Sequence, residues 1–208
     1  MVNQPLADRI RPKSLSDVAG DPKLFGEKGI FASMIASGYI PNMIFFGPSG
    51  TGKTTVANII AEAAGKTLHK LNATTAGISD IKEVIADTSS LMGSGGVLLY
   101  LDELQYFNKK QQQSLLEFIE DGRITLIAST TENPYFYVYP AVLSRSAVFE
   151  FKPLSQEALT GALERAVRVL EEEDGKKIGR EEGALSMIAA AASGDARRAV
   201  NLLENVYR

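Results

Sequence analysis

The 208-residue chain has no cysteine, no tryptophan and only one histidine. The lack of cysteine excludes disulfides and thiolate metal sites and fits a reducing compartment. No apolar run approaches the ~20 residues that a membrane helix needs. The opening MVNQPLADRIRPK lacks the apolar centre of a signal peptide. Charge of one sign is also scarce, since 22 basic against 25 acidic residues leave a net -3. No strong overall basic field therefore attracts nucleic acid from a distance, although a local groove, or one completed by neighbouring subunits, stays open. These absences predict a soluble intracellular protein with no membrane partner, long enough for one core or a core plus a small satellite domain.

What is present is a change of pattern along the chain. The first forty residues hold Pro5, Pro12, Gly20, Pro22, Gly26 and Gly29, which predict an irregular arm with short helices. From Asn42 onward, short apolar runs alternate with amphipathic segments. Strands are expected over 43–46, 68–73, 97–101, 124–130 and 147–151. Between them fall helices over 53–64, 79–91 with Ser79 as N-cap, 110–121 and a short one over 140–144. Such alternation predicts an α/β fold with a parallel sheet covered on both faces. After Pro153 the strands stop, and 155–173, 181–192 and roughly 195–207 read as three helices. The charge run EEEDGKK (171–177) is expected to turn the first of these in solvent. The organisation expected is an arm (1–40), an α/β core (41–153) and an all-helical appendage (154–208).

Strand MIFF runs into GPSGTGKTT (47–55), which satisfies G-x-x-x-x-G-K-S/T with Gly47, Gly52, Lys53 and Thr54. Glycines let successive backbone N–H groups converge on phosphate oxygens. The helix that follows directs its positive end at the same oxygens. In such a loop Lys53 reaches the β and γ phosphates, and the Thr54 hydroxyl holds Mg²⁺. Chance would produce the pattern in a chain of this length on the order of once in a hundred sequences. The expected nucleotide contacts are Gly47, Pro48, Ser49, Gly50, Thr51, Gly52, Lys53, Thr54 and Thr55.

The stretch GGVLLYLDELQYF (95–107) carries an apolar run straight into Asp102 and Glu103. In phosphate-loop enzymes one acid ends a buried strand and holds the Mg²⁺ that Thr54 also contacts, which accounts for Asp102. Glu103 is then free to orient and polarise the water that attacks the γ-phosphate. Adjacent strand residues point to opposite faces, so Glu103 must lie where the strand has already ended. The alternative is that Glu103 merely precedes and caps the next helix.

With these residues in hand, the segment order resembles that of AAA+ ATPases. The shared features are the PLADRIRPKSLSDVAG arm, the phosphate loop, LDE, a polar end to the fourth strand, an arginine after it, and GDARR in the helical appendage. Within that class FFGPSGTGKTTVANIIA, the run from LDELQYF to TTENPYFYVYPAVLSRS, and GDARRAVNLLE are similar to the replication-associated recombination protein A family, relatives of clamp loaders and of the motor RuvB. The resemblance implies a phosphate-loop AAA+ fold, with five parallel strands between helices and a small helical lid. It implies catalytic roles for Glu103, for Thr131 at the tip of the fourth strand (with Asn133 as the alternative), for Arg145 as a finger inserted into the neighbouring subunit's ATP site, and for Arg197, with Arg198 the alternative, reaching from the lid to the γ-phosphate. Ile10, Arg11, Val18 and Ala19 match the arm that holds adenine, and Asn72 is a candidate switch partner for Glu103.

It further implies ATP and Mg²⁺ as cofactors and a homo-oligomeric ring as the working assembly. The implied partners are single-stranded, forked or ended DNA and a single-strand DNA-binding protein, in the nucleoid-associated cytoplasm. The family continues past the lid into a helical collar, so the chain ending at Arg208 is expected to be the core and lid of a longer protein. Gln105 and Tyr106 depart from the His-Arg that often follows LDE in the family, and His69 reads as a half-buried strand residue. The aromatic run Tyr135, Phe136, Tyr137 and Tyr139 reads as a loop packed against a neighbour or as a base-stacking platform. A clamp-loader or RuvB-like subunit and a nucleotide-gated scaffold are the competing functions.

Overall fold

A computed structural model describes residues 4–89 and 97–207. Helices α1 (Leu6–Arg9), α2 (Pro22–Phe25) and α3 (Ile30–Ser37) make up the arm. The core then runs β1 (Met43–Phe46), α4 (Lys53–Ala63), β2 (Leu68–Asn72), α5 (Ile78–Ser89), β3 (Val97–Asp102), α6 (Lys109–Glu120), β4 (Ile124–Thr130), α7 (Pro134–Tyr137), α8 (Pro140–Leu143) and β5 (Ala147–Glu150). The appendage is α9 (Gln156–Asp174), α10 (Ala184–Ala192) and α11 (Ala196–Tyr207).

All five strands pair in parallel in the order β2-β3-β4-β1-β5. Parallel strands need crossovers, so helices cover both faces and the strands can be apolar throughout. Alternation along the strands sorts the core into two layers. Leu98 and Tyr100 pack with Val56, Ala57 and Ile60 of α4 and with five rings, Phe25, Phe31, Phe45, Phe149 and Phe151. Leu99 and Leu101 face the other way, into a layer with Ile81, Leu115 and Phe118 of α5 and α6.

The appendage has its own apolar centre, formed by Leu159, Leu163, Val167, Leu185, Val200 and their neighbours. The arm joins it: Leu6 is fully buried there, its N–H donates to Glu204, and Arg9 pairs with Glu173. Phe25 and Phe31 of the same arm lie in the α/β core. The arm is thus a strap with one end in each core.

Differences from the expected elements are local. Ser79 is the second residue of α5 and not its cap; the Asp80 carboxylate instead accepts from the Gly77 N–H. The expected end of that helix at Leu91 lies outside the described residues. Helix α10 starts at Ala184 rather than 181, after a left-handed Gly183. Helix α7 is an addition to the expected elements; Pro134 at its first position and the Asn133 side chain accepting from the Tyr135 N–H make it. The charge run ends α9 as anticipated, with Gly175 left-handed at its C-terminus. Among the described residues no helix is long and apolar enough to cross a membrane.

Candidate nucleotide-binding and catalytic site

The site-bearing side chains gather at the carboxyl edge of the sheet, beneath the lid. The chain leaves β1 through Gly47, where a Cβ would lie 2.0 Å from the Phe151 carbonyl oxygen, so only glycine fits. The loop then curls into α4. None of the backbone N–H groups from Ser49 to Thr55 donates to a protein acceptor among the described residues. Orphan amides at a helix N-terminus form a cradle for an anion, and phosphate fits it. Ser49 through Thr55 line the cleft, whereas Gly47 and Pro48 stand behind it. Their carbonyls accept from the Lys53 ammonium at 2.6 and 2.7 Å. Burial pushes the Lys53 pKa below the ordinary lysine value; the carboxylates of Glu103, Asp102 and Asp195 oppose that shift and Arg197 adds to it.

Beside the loop is the corner suited to a cation. Thr54 Oγ1 lies 2.9 Å from the Tyr100 hydroxyl, which lies 3.4 Å from Asp102 Oδ1. Ser129 Oγ donates to the same Oδ1. Burial raises the Tyr100 pKa to about 12, so the phenol keeps its proton. Among the described residues no cluster of three or more His, Cys, Asp or Glu collects. Thr54 and Asp102 offer only two oxygens, which suits Mg²⁺, an ion that completes its octahedron with phosphate and water.

Strand β3 ends at Asp102, and Glu103 takes a left-handed conformation (φ 56) that few residues other than glycine adopt. That twist turns Glu103 into the cleft with Lys53, Thr54 and Asp102, as the adjacent acids require. Glu103 also stands at the N-cap of the turn Leu104–Tyr106: its carbonyl accepts from the Tyr106 N–H at 3.0 Å, while its side chain makes no cap hydrogen bond and is left for the cleft. Its Oε2 accepts from Gln105 Nε2 at 2.6 Å, and the same nitrogen lies 3.3 Å from Thr131 Oγ1. Thr131 follows the last residue of β4 and lines the cleft, whereas the Asn133 oxygen is occupied capping α7. The Asn72 oxygen accepts from the Thr74 N–H and hydroxyl at 2.9 and 2.7 Å, and the donor that Glu103 meets in this structure is the Gln105 amide.

From the lid, Arg197 lines the cleft and Arg198 does not. The rest of the wall includes Ile10, Arg11, Val18 and Ala19 from the arm and Leu154, Ala162 and Val200 from the lid, mostly apolar side chains that suit a base, with Asp8 and Arg165 among them. Arg145 lies elsewhere. It pairs with Glu120 at 2.6 Å and donates to the Ala141 carbonyl, outside this chain's own cleft. His69 is half-buried on β2. The aromatic run divides, with Tyr135, Phe136 and Tyr137 exposed and Tyr139 half-buried beneath Lys109.

A family model for the ATPase family associated with various cellular activities (AAA) matches residues 43–154, more than half of the chain. The chain belongs to the AAA ATPases. Replication-associated recombination protein A of Haemophilus influenzae is 40% identical over 96% of this AAA chain and 45% of its own length. The Escherichia coli K12 protein of the same name is 40% identical over 97% and 45%. The chain therefore spans less than half the length of these curated relatives. The branch migration motor RuvB of Thermotoga maritima superposes with a TM-score of 0.77 at 24% identity, over 95% of this chain and 65% of that one, and shows the shared AAA fold.

Four residues of the AAA site are not evident from the sequence pattern. Tyr100 has a signal, because a strand residue two before Asp102 shares its face. Gln105 stands out in the sequence only as a departure from a family. Ser129 depends on the register of β3 against β4, and Arg165 in the cleft wall on how the lid folds over; neither is written in local pattern.

Proposed function

We propose that this chain is the ATP-binding and ATP-hydrolysing module of a protein that maintains DNA during replication and recombination, at stalled forks or DNA ends. The observation that carries the reading is the meeting of free loop amides, Lys53, Thr54, Asp102 and Glu103 in one cleft closed by Arg197. The triphosphate lies along the loop, with its terminal phosphoryl near Lys53 and Arg197 and its adenine between arm and lid. Thr54 and Asp102 would hold Mg²⁺, which would supply neutralisation of phosphate charge. Glu103, fixed by Gln105 and helped by Thr131, orients a water in line with the γ-phosphorus. The water oxygen forms the new P–O bond, the bond to ADP breaks, and the water's proton passes to Glu103 or to the released phosphate.

Arg145 lies outside its own cleft, which supports a role in a neighbour's site within a homo-oligomeric ring. The DNA role rests on the names of the relatives, whose full length exceeds this chain. Single-stranded, forked or ended DNA is the proposed substrate, a single-strand DNA-binding protein the proposed helper, and the nucleoid-associated cytoplasm the proposed location. The deciding experiment measures ATPase rate against protein concentration, with and without single-stranded and forked DNA, for the full-length protein. A rate per chain that rises with concentration and with DNA supports the reading. Negligible, concentration-independent turnover favours a nucleotide-gated scaffold.

A further inference from the structure

We propose that Tyr100 and Ser129 are positioning residues that hold Thr54 and Asp102 ready for the cation, an inference that rests on the ATPase reading above. Asp102 Oδ1 receives two hydroxyls, a close one from Ser129 Oγ and a longer one, at 3.4 Å, from Tyr100. A carboxylate can only accept, so the Tyr100 proton points to Asp102. The remaining contact, 2.9 Å between Tyr100 and Thr54 Oγ1, then has Thr54 as donor. The proton order is Thr54 to Tyr100 to Asp102. It leaves the Thr54 oxygen with both lone pairs and Asp102 Oδ2 without a protein donor among the described residues. These are the two atoms a divalent ion requires.

The clamp rests on rigid elements. Tyr100 is two residues before Asp102 on the same face of β3, almost fully buried against α4 and the phenylalanine cluster, and Ser129 is buried on the neighbouring strand. Neither side chain lines the cleft, so both act through the two ligands rather than on the nucleotide. Outer partners of this kind typically alter metal affinity by roughly 10–100-fold when removed.

The test uses the 208-residue chain and a fluorescent, non-hydrolysable ATP analogue, titrated once in EDTA and once at increasing Mg²⁺. Tyr100→Phe and Ser129→Ala are expected to raise the Mg²⁺ concentration for half-maximal enhancement of analogue binding about tenfold each. Affinity in EDTA should match that of the unsubstituted chain. An unchanged Mg²⁺ requirement in both variants overturns the proposal, and so does an equal loss with and without metal, which would mark general damage to the cleft. If the unsubstituted chain shows no Mg²⁺ enhancement, the ATPase reading itself fails, an outcome distinct from failure of the clamp alone.

Discussion

The carboxylate of Asp195 occupies the space beside the Cα of Gly50: a methyl group there would lie 1.8 Å from Asp195 Oδ1. The lid thus closes directly on the phosphate loop, and the Ala196 N–H donates to the Gly50 carbonyl at 3.0 Å. Gly50 is also left-handed, with φ 69. Gly50→Ala should therefore push the Asp195 carboxylate off the Arg198 N–H it caps, loosen the lid and lower ATP affinity about tenfold, with ~1–2 kcal/mol of left-handed strain as the main cost. Hydrogen exchange at the Ala196 amide reads the loosening. Unchanged protection there would show that the lid does not depend on this contact.

Glu103→Gln preserves shape and hydrogen bonding but removes the base. Analogue binding should change less than twofold, while single-turnover hydrolysis falls by ~10²-fold or more. Quenched-flow phosphate release measures it, and full turnover in this variant would mean that another group aims the water.

Arg145→Ala leaves the cleft of its own chain intact, because the guanidinium is paired with Glu120 on the outer surface. Nucleotide affinity should hold, and the concentration-dependent part of the ATPase rate should drop by roughly 10³-fold. An equal loss in dilute monomer would mean that the arginine does not act across subunits.

Leu6→Ala opens a cavity in the lid's apolar centre from a residue of the arm. The expected cost is about 2–5 kcal/mol of unfolding free energy, measured by urea denaturation. Adenine nucleotides should also bind less tightly, since Ile10 and Arg11 follow on the same segment.

The strands, the phosphate loop and the placement of Asp102 and Glu103 in the cleft are legible because each is written in consecutive residues. MIFF, VLLYLD and ITLIAST are apolar runs of strand length, and G-x-x-x-x-G-K-T is a local turn chemistry. Even the end of the strand before Glu103 is implied, since two adjacent acids cannot both serve one cleft from an extended strand, though not the left-handed form the break takes. What escapes lies between segments. Leu6 in the lid core and Ser129 beside Asp102 require knowing which element packs on which. Gln105 gripping Glu103 depends on side-chain reach at the strand tips, which no periodicity encodes.

The arm is pinned in two cores, at Leu6 and at Phe25 with Phe31, and the cleft-lining residues Ile10, Arg11, Val18 and Ala19 lie between the pins in the chain. It works like a drive belt. Any swing of the lid either hauls this wall of the cleft with it or pulls a leucine into water, at about 1.5–3 kcal/mol. On the proposed placement of the nucleotide, motion begun where phosphate is cut would reach its opposite end through this strap.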